Sequence, residues 1–206
     1  MVRNNLTSTI KTGFDEIDAS NAQPIDYLVI GHVTNDIQPD GTQILGGTAS
    51  FAANMARALG LRVGIVTCAG KDSDLSDLDG IAIACERSKF STTFENRYDH
   101  KKGRVQYLYN RADDIDIAVV PSAWRHTEIV HLGPMVDEIS PHSIAHFPNI
   151  FKGITAQGWL RRWDESGRVH RRDWPEAAEI LPKANAVIIS IDDVEGDWVY
   201  LDSWGE

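Results

Sequence analysis

Short apolar runs, set apart by polar or helix-compatible stretches, limit this chain more than any other feature. YLVIG (27–31), RVGIVTCAG (62–70), EIVHLGP (128–134), GITAQG (153–158) and AVIIS (186–190) are each long enough for one strand. Continuous apolar runs of this kind suit strands covered on both faces, as in a parallel sheet, rather than strands with one wet face. SFAANMARALG (50–60) puts Phe51, Met55, Ala58 and Leu59 on one helical face and ends on Gly60 as a C-terminal cap. WPEAAEILPKA (174–184) carries Pro175 in its first turn. Strands alternating with helices predict a three-layer α/β fold around a mostly parallel sheet.

Two segments break that rhythm. NDIQPDGTQIL (35–45) holds Pro39-Asp40-Gly41 between two extended stretches, a turn signal with a mechanism. STTFENRYDHKKGRVQYLYNRA (91–112) holds extended runs around 92–98 and 104–110, in the first of which Phe94, Asn96 and Tyr98 alternate with Thr93, Glu95 and Arg97. These strands need a home outside the main sheet. A small antiparallel lid sheet, drawn from about 33–46 and 91–111, would cover one end of the domain. Residues 1–24 are polar and non-periodic and read as a loose leader, leaving 25–206 as one α/β domain.

Composition narrows the partners. The 206 residues are 42% hydrophobic and 24% charged, enough for a sizeable core. A formal net charge of −10 argues against a nucleic-acid-binding surface, while leaving room for a local phosphate site. Cys68 and Cys85 form no Cys-x-x-Cys pair, and with no secretory leader they read as reduced thiols of a cytoplasmic protein. No apolar run is long enough to span a bilayer. His142 and His146 lie four apart with no Glu between them and read as a surface helix rather than a metal pair. RRWDESGRVHRR (161–172), broken by Asp164 and Glu165, reads as a solvated hairpin, and Trp159, Trp163 and Trp174 as packing over a sheet edge. No nucleophilic triad emerges, and no catalytic or metal-ligating residue is named.

ILGGTASFAANMARALG (44–60) places two adjacent glycines before Thr-Ala-Ser at the mouth of a helix. Glycines let main chain approach another molecule, and small hydroxyl residues are expected to cap the helix. Its first N–H groups would face something electron-rich. A plain strand-to-helix turn would use the same residues.

In their order these features resemble the ribokinase/PfkB family of carbohydrate kinases. GHVTND (31–36) is similar to the family's close of strand one, and GTQIL, Gly46-Gly47 and TASFAANMARALG to its lid strand, glycine pair and helix. LRVGIVTCAGKD (61–72) looks like its second strand, TTFENRY…GRVQYLYNRA like the second lid pair, and GITAQGWLR (153–161) sits where many members carry Asp-Pro-Asn-x-x-Arg. The resemblance implies a ribokinase-like fold and transfer of the γ-phosphate of ATP, with Mg2+, to a sugar or cyclitol hydroxyl. It assigns Asp36, Gly46, Gly47 and Thr48 to the substrate, followed by Gln106, Asn110 and Gln157. As a bare turn residue Asp36 would only cap, and Gln106 and Asn110 would be ordinary sheet-surface side chains.

The chain also departs from the pattern. Phe51 stands where many members have Asn, and Asn54 follows one turn later, which favours a polyol or cyclitol as much as a furanose. VIISIDDVEGD (187–197) occupies the place of Asn-x-x-Glu, with Ser190 and Asp193 at those two positions; Asp193 is expected in a phosphate and magnesium network, or with Asp192 as a helix cap. No Gly-Ala-Gly-Asp element occurs up to Glu206, and Gly196-Asp197 after Glu195 is no substitute. The C-terminal part of the fold is therefore expected to be absent and the chain to be the sugar-binding portion of a kinase, inactive by itself. A non-catalytic sugar-binding module, or one that forms a homodimer through the 104–110 lid edge, is the rival reading. A dinucleotide oxidoreductase ranks last, because Gly-x-Gly-x-x-Gly is missing after the first strand.

Overall fold

The computed structural model describes residues 9–12, 15–18, 22–99 and 103–204. In chain order it begins with β1 (Thr9–Thr12), β2 (Asp15–Asp18), β3 (Tyr27–Ile30), β4 (Thr34–Ile37) and β5 (Gln43–Gly46). Helix α1 (Thr48–Ala58) leads to β6 (Val63–Ala69), β7 (Ala82–Arg87), β8 (Thr92–Asp99), β9 (Gly103–Asn110) and β10 (Ile129–Leu132). After β11 (Phe151–Thr155) come β12 (Arg161–Trp163), β13 (Val169–Arg171), α2 (Ala177–Ile180), β14 (Ala186–Ile188) and α3 (Trp198–Asp202).

All five apolar runs become parallel strands of one sheet, in the order β14-β11-β10-β3-β6-β7-β1-β2. The sixth parallel strand, β7, escapes a sequence reading because AIACER is short and carries small residues in place of branched ones. β1 pairs antiparallel with β7 and with β2, so part of the stretch read as a loose leader extends the sheet. Among the described residues no helix is long and apolar enough to cross a membrane.

Alternation along the buried strands sends neighbouring side chains to two cores. Leu28, Ile30, Val130 and Leu132 face Trp124, Phe147, Trp159 and Trp174 on one side. Trp159 and Trp174 stack with ring centroids 4.8 Å apart, which confirms the packing role expected of them; Trp163, by contrast, is exposed. Val29, Ile65 and Ile83 face α1 on the other side.

The helix itself is turned opposite to expectation. Phe51, Met55 and Leu59 are 66%, 63% and 73% exposed, while Ala49, Ser50, Ala53 and Ala56 are buried. Alanines at i, i+4 and i+7 let the helix backbone lie close to the sheet, and larger side chains there would hold it away. The second expected helix is also shorter. α2 spans four residues and passes into a 3-10 turn at Leu181–Lys183, because Pro182 cannot continue an α-helical hydrogen-bond ladder. The second face of the sheet is thus covered largely by short 3-10 turns rather than by long helices.

The lid has the order β5-β4-β8-β9. Both expected hairpins form, with Gly41 closing the first by donating to the Gln38 carbonyl (2.9 Å). β4 and β8 run parallel, so the lid is mixed rather than wholly antiparallel. Its inner face, Phe94 and Leu108, packs on Met135 and Val136 beyond β10. The β12–β13 hairpin, expected from its charge pattern, covers the middle of the outer β9 edge: Leu108 donates to the Gly167 carbonyl (2.8 Å) and Tyr107 bridges Arg168.

Candidate functional site

From β3 the chain passes through β4, β5 and α1 to β6 on one side, while β10 lies on the other side of β3. The strand order reverses between β3 and β10, and in open α/β sheets the crevice beyond the carboxyl ends at such a point takes the ligand. The lid, the start of α1 and the segments after β10 and β11 all meet there.

The first lid strand brings Asp36 opposite Ile44 and Thr34 opposite Gly46. A Cβ at Gly46 would come within 2.6 Å of Asp36 Oδ2, so the carboxylate occupies the space that the missing side chain leaves. Gly47 follows with φ +90°, and a Cβ there would lie 2.7 Å from the His32 carbonyl oxygen. Only glycine combines that backbone angle with that approach. Gly47 is also the N-terminal cap of α1, and no side chain caps the helix. The hydroxyls expected to do so act otherwise: Ser50 Oγ donates back to the Gly46 carbonyl (2.7 Å), and Thr48 N–H faces the Met135 sulfur (3.3 Å). A soft sulfur is a weak acceptor, so this helix mouth retains donor capacity.

Asp36, Gly47, Thr48, Gln106 and Gln157 line one cleft of about 450 Å³. Asn96, Arg104, His131, Thr155 and Arg161 join them, with Phe51, Phe94 and Met135 as apolar wall. Phe51, which stands at the departure from the family's Asn, therefore has an apolar position in the cleft. Burial raises the pKa of the Asp36 carboxyl; the Thr34 hydroxyl, donating at 3.1 Å, and the Arg161 and Arg104 charges oppose that rise.

Sequence reasoning missed His131 and Arg161. His131 lies inside an apolar run, where a lone histidine gives no signal. Its Nδ1 shares a hydrogen bond with the Tyr27 hydroxyl (2.6 Å) and its Nε2 one with Thr155 Oγ1 (2.8 Å). Burial pushes its pKa down from 6.5 to about 4, so the ring is neutral at pH 7. Arg161 opens a stretch read as solvated, yet it is buried, stacked 5.6 Å from the Phe94 ring centroid and 3.8 Å from Asp193 Oδ1.

Asn110 is not brought to this cleft. It pairs with Thr93 at the far end of β9 and lines a separate surface with Tyr109, Trp163 and Asp164. Asp193 sits just outside the main cleft: Gln157 donates to its Oδ1 (2.8 Å), and its Oδ2 accepts from Ser190 N–H (3.1 Å). With Ser190 it closes a capping box, the alternative expected for this segment. Both oxygens are thus committed to protein donors, and among the described residues no three His, Cys, Asp or Glu side chains gather as metal ligands. The residues present do not fit a magnesium ion bound directly by Asp193.

No family profile and no curated protein matches the sequence. Solved structures do. A pyrophosphate-dependent kinase of the ribokinase family, complexed with a pyrophosphate analog and myo-inositol, superposes with a TM-score of 0.68 at 23% identity, over 82% of this chain and 62% of that one. Fructokinase from Halothermothrix orenii superposes with 0.60 at 18% identity, over 87% and 75%. Arabidopsis thaliana ribokinase, complexed with ribose and ATP, gives 0.55 at 11%, over 89% and 68%. The chain has the ribokinase-like fold of these carbohydrate kinases. It spans less than two thirds of the length of the pyrophosphate-dependent kinase.

Proposed function

We propose that residues 25–206 are the acceptor-binding portion of an ATP-dependent carbohydrate or polyol kinase, which binds a sugar or cyclitol beneath the lid. The observation that carries this reading is the convergence of a carboxylate and a helix mouth on one cleft: Asp36, held against Gly46, with Gly47 and Thr48 beside it. A polyhydroxylated ligand offers donors and acceptors on every carbon, and this cleft answers with a carboxylate acceptor, amide side chains at Gln106 and Gln157, and helix-mouth N–H donors. The lid excludes water from the hydroxyl that receives the phosphoryl group. The neighbour holding myo-inositol supports a cyclitol among the acceptors.

ATP is the donor that the resemblance implies, and inorganic pyrophosphate belongs in the same assay because one neighbour depends on it. The 206-residue chain is expected to bind acceptor without turning it over. Calorimetry across free sugars and inositols tests the reading. Binding that is lost in Asp36→Ala supports it, and indifference of every bound polyol to that substitution contradicts it. ATP-dependent phosphorylation by this chain alone, in a coupled assay, would overturn the expectation of inactivity.

A further inference from the structure

At the carboxyl ends of β6 and β7 lies a smaller cleft of about 260 Å³ that shares no lining residue with the polyol cleft. Ala69 and Arg87 end the two strands side by side, and Lys71 follows Ala69 by two residues, so two cations stand at the strand ends. The segment 72–80, which joins the strands, contributes Asp74 and Asp79. Leu75, Leu78 and Ile83 add an apolar lining. We propose that this cleft binds a small zwitterion, an α-amino acid with an apolar side chain.

The charges at the cleft are not spent on one another. Among the described residues the Lys71 ammonium meets no acceptor and the Asp79 carboxylate no donor. Asp74 accepts from Ser76 N–H (2.9 Å), and that bond holds its carboxyl below the usual range, so it is ionised at neutral pH. The wall that carries these carboxylates is tied to the rest of the fold. Ser73 Oγ donates to Asn35 Oδ1 (2.8 Å), and Asn35 Nδ2 donates to the Asp72 carbonyl (3.2 Å). Asp72 Oδ1 in turn accepts from the Ser91 N–H (3.0 Å) and hydroxyl (2.8 Å). These bonds join the segment to β4 and to the residue before β8, so the cleft is formed before a ligand enters.

Opposite charges on one small cleft select a ligand that carries both. A carboxylate suits Lys71 and Arg87, and an ammonium suits Asp74 and Asp79, while either group alone meets like charge as well as unlike. A phosphate dianion would face two carboxylates, and a polyol has no charge to match any of the four groups. Neither covers Leu75, Leu78 and Ile83, whose apolar surface gains by taking a hydrocarbon side chain out of water. The volume admits one small molecule rather than a chain segment. This inference does not rest on the proposed function.

Titration calorimetry at low ionic strength with leucine, methionine and phenylalanine tests the proposal on the 206-residue chain, Lys71→Gln, Asp79→Asn and Asp36→Ala. Binding of at least one amino acid, weakened about tenfold in both Lys71→Gln and Asp79→Asn, is the expected result. Both variants change exposed side chains, and thermal melts confirm that they fold. Isocaproate, which is leucine without its ammonium, and isoamylamine, which is leucine without its carboxylate, should each bind about tenfold more weakly than leucine. Asp36→Ala should bind the amino acid as the wild type does, which keeps this site separate from the polyol cleft whatever becomes of the kinase reading. No binding of the three amino acids at millimolar concentration, or binding unchanged in both charge variants, overturns the proposal. So does isocaproate or inorganic phosphate that binds as tightly as leucine, or amino-acid binding that is lost in Asp36→Ala.

Discussion

The Asp36 carboxylate fills the space beside the Gly46 α-carbon where any other residue would place its Cβ, 2.6 Å from Oδ2. The obstruction is a short side chain rather than backbone, so it can yield. Gly46→Ala is therefore expected to fold with a melting temperature within a few degrees of wild type while moving the carboxylate. Polyol affinity should fall about tenfold or more, read by calorimetry beside a thermal melt.

Gly47→Ala meets a different neighbour. The His32 carbonyl, 2.7 Å from the new Cβ, is backbone at the end of β3, and φ +90° is itself unfavourable for alanine. A loss of about 1–3 kcal/mol in unfolding free energy is expected. It would appear as a lower denaturant midpoint at unchanged slope.

The histidine in the central sheet should make stability depend on pH. Unfolded, it takes a proton near 6.5; folded, burial holds its pKa at about 4. The unfolded state binds more protons between these values. The stability contributed by neutral His131 is therefore complete above about 6.5 and is lost as pH falls towards 4, on the order of 3 kcal/mol in all. Chemical denaturation across that window should show a shallower dependence in His131→Gln.

For Asp36 the sign is reversed. Burial raises its pKa in the folded state, so the unfolded chain loses that proton first as pH rises from about 3.8. Stability falls through that window and stays lower at neutral pH, where the buried carboxylate is ionised. Asp36→Asn should therefore melt higher than wild type at pH 7 and bind polyol less tightly. A variant that melts lower would remove the case for a carboxylate kept for its ligand.

Much of the frame was legible because its signals are local. Branched apolar runs announce β3, β6, β10, β11 and β14, and Pro39-Asp40-Gly41 announces the first lid turn. The glycine pair and Asp36 were legible for the same reason, since their spacing fixes a strand, a turn and a helix mouth. The rest needed the tertiary arrangement. Nothing in GWLRRW distinguishes a buried Arg161 from an exposed Arg162; strand alternation decides it only once β12 is placed beneath the lid. The orientation of α1 was misread because size suggested Phe51, Met55 and Leu59 for the core, whereas close approach to the sheet selects alanine. Asn110 was misplaced because alternation puts it on the side of β9 that carries Gln106, yet it lies further along the strand, past the cleft.

The central claim is that a polyhydroxylated ligand sits in the cleft lined by Asp36, Gly47 and Thr48, with the carboxylate held against Gly46. The most direct test is amide chemical-shift mapping of the 206-residue chain during titration with an inositol or hexose that binds it. The account predicts the largest saturable changes at the Gly46, Gly47 and Thr48 amides, abolished in Asp36→Ala. Changes confined to the smaller cleft around Lys71 and Ser76, with the glycine pair silent, would contradict it.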